Sequence, residues 1–342
     1  MTTLSGFDRV LRARAALLGL IVGDALGAAV EGMSAERATE VLDEDMLPSA
    51  PDDHPFWPGQ AAATTTDDTA QSLLLAQRII IDGPVVDVAA WTRDLADWVA
   101  AEDVAGRGAH IGPSTRQAVL EPGTSGHGSP GLTNGSAMRI VPVGIACSAD
   151  PAVLVEAVVA SGRPAHDSDL AQAAAAAVAA AVAAGIAGAD IDEAFIAAVD
   201  AAREAATYGQ PSGRPPFVDT LAPVLVRAKA ARDLSDAERR LELHRIAVEV
   251  GTDVGADQSV IVALAVASAE SRDPWRAARL GASLGGDTDT QAGIAAAIVG
   301  ATTGVLAPST VLARLDRTLV NQSIRLTDAL IRAGAAHAAG SS

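Results

Sequence analysis

Alanine dominates this chain and strand formers are scarce, so helices are almost the only regular structure open to it. The run 170–189 carries no charge and is mostly alanine, and only 3% of all residues are aromatic. Alanine and leucine favour helix, whereas strands are built from β-branched and aromatic side chains. Helical periodicity recurs along the chain and predicts helices over residues 10–26, 69–81, 136–146, 167–186, 257–271, 290–302 and 323–336, with others between them. No 20–50-residue period repeats and no strand-then-Gly-rich-turn unit occurs, which excludes a solenoid and a dinucleotide-binding βαβ fold. The expectation is an all-α, single compact multi-helix domain spanning residues 1–342, with its core at about 10–336.

With 342 residues, 49% of them hydrophobic, the chain has ample material for a core. Its 42 acidic residues against 25 basic ones leave a net charge of −17, which argues against duplex nucleic acid as a partner and favours cations. The single cysteine, Cys147, excludes an internal disulfide and a Cys-rich zinc site. Two stretches imitate membrane signals. Residues 11–29 loosely copy a signal peptide, but Asp24 interrupts the apolar run and Asp8 sits where a basic start belongs. The 170–189 run is near spanning length, but alanine is barely apolar enough to prefer lipid, so it reads as a close-packed buried helix. No membrane association is expected, and a cytoplasmic location is. The oligomeric state is not legible.

Three long connections interrupt the helices: an acidic one over 33–63, a Gly-rich one over 123–135, and a Gly/Pro-rich one over 208–217. Connections this long in a helical domain are usually functional. Three polar clusters also stand at helix edges: Thr66-Asp67-Asp68-Thr69, Gly285-Gly286-Asp287-Thr288-Asp289-Thr290, and Gly23-Asp24-Ala25-Leu26-Gly27 with Glu31 beyond it. Helix capping explains one Asp or Thr per helix start. It does not explain paired acids at two separate starts, because neighbouring carboxylates repel unless a cation offsets them. Oxygen donors without nearby His or Cys suit Mg²⁺, Mn²⁺ or Ca²⁺.

These clusters, together with Asn134-Gly135-Ser136-Ala137-Met138-Arg139, occur in an order that resembles the ADP-ribosylglycohydrolase family, over roughly residues 12–304. That family includes the hydrolase that removes ADP-ribose from dinitrogenase reductase. The resemblance implies a helical fold with two Mg²⁺ ions (Mn²⁺ being an alternative) at the base of a cleft. It implies Thr66, Asp67 and Asp68 as ligands from one side, and Asp287, Asp289 and Thr290 from the other. Glu31 matches an acid that approaches the metals, and Glu31, Asp68 and Asp287 are the candidate catalytic acids and bases. Gly126, Gly128, Asn134, Gly135 and Ser136 match a loop that lines the cleft near the ligand's phosphates, where free N–H groups would meet an anion. A plain flexible loop is the alternative, with His127 solvated.

His166 falls where relatives often have a Thr-His pair, here with Ala165 in place of the Thr, so a helix contact competes with a ligand contact. Arg139 is expected to be structural, as a partner for an acid near the metals. Asp24 either orients ligands or simply ends a helix. Many relatives carry a Tyr after the last metal helix, but this chain reads Gly300-Ala301-Thr302-Thr303-Gly304, leaving Phe56, Trp57, Tyr208 and Phe217 as loop aromatics for adenine stacking. The implied activity is Mg²⁺-dependent cleavage of an ADP-ribosyl bond, first of all protein ADP-ribosyl-arginine. The alternatives are a nucleoside-type N-ribosyl hydrolase acting on a small ribosyl compound, or an inactive metal-dependent ADP-ribose binder.

Overall fold

The computed structural model describes residues 4–42, 47–108, 111–120 and 128–340. Among these, seventeen α-helices pack around one continuous apolar core, and the only β pairing is three isolated bridges. The all-α, single-domain architecture follows from the alanine content. Small side chains bury little area each, so cohesion comes from many helices approaching closely rather than from a few large residues.

A central helix and a crossed helix pair organise the rest. Asp169–Ala187 runs through the centre of the molecule, with all but three of its residues buried. It is the one helix among the described residues long and apolar enough to cross a bilayer, and 89% of that stretch is buried inside the protein. The second organiser is the pair Gly6–Gly27 and Thr288–Thr303, whose crossing positions the site. Gly19, Gly23 and Gly27 are spaced four apart on one face of the first helix. A Cβ at Gly23 would lie 2.4 Å from the Ala292 carbonyl, and one at Gly27 would lie 2.3 Å from the Thr288 carbonyl oxygen. Only bare backbone lets the start of the Thr288–Thr303 helix, which carries Asp289, come so near.

The structure departs from the sequence reading at several boundaries. The first helix begins at Gly6 because Ser5 and Asp8 form a reciprocal capping box. Residues 33–63 are not wholly irregular: Ala35–Val41 is a helix capped by Ser34, and with Ala38 its one buried residue it shows no periodicity to detect. The helix expected over 136–146 is two, Gly135–Met138 and Val141–Cys147. Pro142 has no N–H to donate to Met138, so a single helix cannot continue through it. The last helix, Arg317–Gly340, is longer than the 323–336 expected.

Candidate metal centre

Helix starts deliver the acids, and Asp24 fixes one of those starts. Asp24 is wholly buried within the first helix, and its carboxylate accepts the backbone N–H groups of Thr66 (3.0 Å) and Thr69 (3.1 Å). It also accepts the Thr69 hydroxyl. Asp24, in the last turn of the first helix, therefore orients the neighbouring acids rather than simply ending its helix. It caps the Asp67–Asp82 helix from outside and holds Asp67 and Asp68 in register with the first helix.

The second acidic start is fixed by its turn. Gly285 and Gly286 sit at φ +79° and +75°, backbone that side chains rarely tolerate. A Cβ at Gly286 would lie 2.3 Å from the Thr252 carbonyl oxygen, which accepts the Asp287 N–H at 2.8 Å. Gly286 also exchanges backbone hydrogen bonds with Gly32 and Met33, so the turn carrying Asp287 is tied to the segment carrying Glu31.

These constraints bring Glu31, Asp67, Asp68, Asp287, Asp289 and Thr290 to one cavity of about 280 Å³. Carboxylate oxygens of Glu31, Asp287 and Asp289 lie within 4.8 Å of one another. Burial pushes the carboxyl of Asp68 well above the ordinary carboxylate range, with Asp289 as the next cause, and the same two causes act on Glu31. Asp67 is pushed up to about 7 by burial and then by Asp289, as is Asp24. Asp287 and Asp289 are raised by burial as well. Asp289 Oδ1 is buried without a hydrogen-bond partner. A ring of oxygen donors whose charged forms are disfavoured by burial and mutual repulsion unless cations offset them, with one donor atom unsatisfied, fits hard divalent cations.

The remaining walls are built from the middle of the chain. Asn134 donates its side-chain amide to Ser259 Oγ at 2.8 Å and to the Asp287 carboxylate, so it orients an acid. His166 is buried, with Nε2 3.0 Å from Thr133 Oγ1, and burial followed by Arg139 drives its pKa well below the usual imidazole value. It is a neutral imidazole at the cavity wall. Gly135 is glycine because the His166 ring covers it: a Cβ there would lie 2.6 Å from Cε1. Phe56 and Trp57 line the cavity; Tyr208 and Phe217 do not.

Two expected site residues, Ser136 and Gly128, fall elsewhere, while a third, Thr66, stays at the acids. Ser136 is buried, and its hydroxyl donates to the Ala171 carbonyl at 3.2 Å. Gly128 packs on the Arg163 carbonyl, and its N–H donates to Asp167, so it closes a loop instead of facing the cavity. Thr66 is the N-cap of its helix, accepting the Asp68 N–H at 3.2 Å, and its side chain also hydrogen-bonds Asp289, so it stands between the two acidic clusters. Gly126 and His127 lie outside the described residues.

Two side chains that shape the acids escaped the sequence reading in that role. Trp57 Nε1 donates to Glu31 Oε2 at 2.9 Å, so a loop aromatic fixes the acid. Gln71 Nε2 donates to Asp67 Oδ2 at 2.8 Å, while its Oε1 accepts Arg139 NH1 at 2.6 Å. Arg139 is wholly buried and lies over the Trp91 ring at 5.6 Å. The expected acid partner of Arg139 is thus reached through an amide. Gln71 stands four residues after Asp67 on a helix, a spacing that places the two side chains on one face.

Comparison with known proteins agrees with this architecture. The family model for ADP-ribosylglycohydrolase matches residues 8–339. An uncharacterized protein, YegU, of Escherichia coli K12 is 32% identical over 76% of this chain and 77% of its own length. The ADP-ribosyl-[dinitrogen reductase] glycohydrolase of Rhodospirillum rubrum is 33% identical over 51% of this chain and 56% of its own. A solved structure described as an ADP-ribosylglycohydrolase-related protein complex shares the fold, with a TM-score of 0.66 at 24% identity over 96% of this chain and 99% of that one. The family match over nearly the whole chain places this protein in the ADP-ribosylglycohydrolase family, as a hydrolase of glycosidic bonds.

Proposed function

We propose that the chain is a Mg²⁺-dependent hydrolase that releases ADP-ribose from a modified arginine on a protein. The observation that carries this reading is the ring of Glu31, Asp67, Asp68, Asp287 and Asp289 around one cavity, all raised in pKa and none in a salt bridge among the described residues. Thr66, Asp67, Asp68, Asp287, Asp289 and Thr290 would hold the ions, which supply Lewis acidity and a nucleophilic water at neutral pH when bound. Glu31, held by Trp57 at the cavity edge, is the group for moving a proton at the reacting centre. The surrounding carboxylates stabilise positive charge developing on the ribose as the glycosidic bond breaks. The same negative wall suits a cationic guanidinium leaving group. The curated relatives named for ADP-ribosyl-[dinitrogen reductase] and for ADP-ribosylarginine hydrolysis support this substrate class.

A second reading rests on cavity size: about 280 Å³ with Phe56 and Trp57 as its aromatics is small for a whole ADP-ribose and suits a nucleoside-like N-ribosyl compound. A substrate panel with and without Mg²⁺ separates the two. It compares ADP-ribosyl-arginine protein, ADP-ribosyl-serine peptide, O-acetyl-ADP-ribose and nucleosides. Mg²⁺-dependent release from arginine is expected; turnover of nucleosides alone would replace the first reading with the second.

A further inference from the structure

A second cavity, of about 360 Å³, opens between the helices Asp236–Val250 and Pro274–Ala282, and its charge is the reverse of the first. Four arginines line it, Arg239, Arg240, Arg276 and Arg279, on a chain whose net charge is −17. Two are tethered by the same pair of acids. Arg239 NH1 meets Glu270 Oε2 at 3.0 Å and Asp236 Oδ1 at 3.1 Å, while Arg276 reaches Glu270 at 3.1 Å and Asp236 at 2.7 Å. Glu270 is buried, so this tether fixes both guanidinium groups before anything binds.

Arg240 and Arg279 have no carboxylate partner among the described residues, and Arg279 Nε is buried with no acceptor. Four guanidinium charges against two carboxylates leave two positive charges uncompensated in one hollow. Unpaired arginines on a surface normally swing into water. Here one is held with a buried donor facing no acceptor, which is unfavourable unless an anion completes it.

We infer that this cavity is a binding site for a phosphoryl dianion, separate from the acid cavity. Guanidinium forks match tetrahedral oxyanions in pairs, and the two uncompensated charges equal those of a phosphoryl dianion. The volume lies at the small end of ligand sites, roughly 300–1,000 Å³, which fits a diphosphate-sized group better than an extended polymer. Arg240 also lines the neighbouring groove with His244 and Ser283, giving a longer phosphate ester a path across the surface. The site stands on its own residues and does not depend on the chemistry assigned to the acid cavity.

Calorimetric titration of inorganic pyrophosphate into the full chain, with chelator present and at low ionic strength, tests it. Saturable one-site binding is expected. Arg240→Gln and Arg279→Gln should each weaken it by about tenfold, the loss expected for one charge-assisted interaction, and the double variant should abolish it. Asp67→Asn should leave it unchanged, which separates this site from the acid cavity. Citrate, an anion of carboxylates, should bind more weakly than pyrophosphate. Absence of saturable heat, equal binding by the arginine variants, or loss on Asp67→Asn alone would each overturn the site. Equal affinity for citrate would overturn its phosphoryl selectivity.

Discussion

Thr290 donates its hydroxyl to Asp68 Oδ2 at 3.0 Å, joining two acidic helix starts that lie 222 residues apart. The bond is buried and makes the two starts face each other across one cavity. It also places a hydroxyl and a carboxylate where both can share a cation. The distance in sequence is bridged by the first helix, which caps one start through Asp24 and accepts the other against its glycine face.

Glu31 is the proposed proton-transfer group, and Trp57 is what aims it. Glu31→Gln should lower turnover by about 10²-fold or more while largely sparing ligand binding. Trp57→Phe removes the indole N–H but keeps the ring, so it should lower kcat by a smaller factor with little change in KM. Steady-state kinetics on the arginine substrate reads both. A Glu31→Gln enzyme with unchanged kcat would move the role to a metal-site Asp.

Gln71 couples a buried cation to a buried acid. Gln71→Leu should cost about 1–3 kcal/mol in chemical denaturation, because it leaves the buried NH1 of Arg139 without its acceptor. It should also weaken Mn²⁺ binding by releasing Asp67. Gln71→Glu should restore stability through a direct ion pair with Arg139 without restoring the donor to Asp67. Stability and Mn²⁺ affinity would then part company, whereas a residue that served packing alone would move both together.

Gly135 lies under His166, and that changes what its substitution tests. The sequence reading expects a bulky residue there to weaken phosphate-bearing ligands selectively. The geometry predicts displacement of the imidazole, because even a methyl group would meet the ring at 2.6 Å. Gly135→Ala should therefore perturb the histidine proton resonances and reduce binding of phosphate-bearing and phosphate-free ribose ligands alike. A loss confined to phosphate-bearing ligands would restore the backbone-cradle reading.

The acids make the metal-free protein less stable as pH rises. Asp24 and Asp67 are raised to about 7 in the folded state, against an ordinary value of about 4 when unfolded. Between those values the folded chain holds protons that the unfolded chain has released. The stabilisation is thus complete below about pH 4 and is lost as pH rises through 7. In chelator, Tm should fall across that window, and Asp67→Asn should flatten the fall. A Tm that rises from pH 5 to 8 in chelator would contradict the raised values.

Much of the helical architecture was readable, because alanine periodicity leaves few alternatives. What escaped was short or interrupted: Ala35–Val41 has one buried residue, and the break at Arg139–Ile140 hangs on Pro142. At the site, acids paired at a helix start were conspicuous because repulsion makes them costly without a cation. Gln71 and Trp57 were not, since a neutral amide and a loop indole carry no charge signature and acquire roles only through their neighbours. Ser136 and Gly128 misled for the converse reason: adjacency in sequence to Asn134 and Gly135 did not carry them to the cavity wall.

That the two acidic clusters form one metal centre is the central claim, and calorimetry on four proteins measures it: wild type, Asp67→Asn, Asp289→Asn and the double variant, each with Mg²⁺ and with chelator. An ion that binds only the folded state stabilises it by roughly 2.7 kcal/mol at about a hundredfold excess over its dissociation constant. Either substitution should remove most of that increment, and the pair should cost little more than one alone, because residues sharing an ion are not additive. In chelator, each should be neutral or slightly stabilising, since it relieves carboxylate repulsion. Losses that add, and that are the same with and without Mg²⁺, would show two independent helix caps and contradict the metal centre.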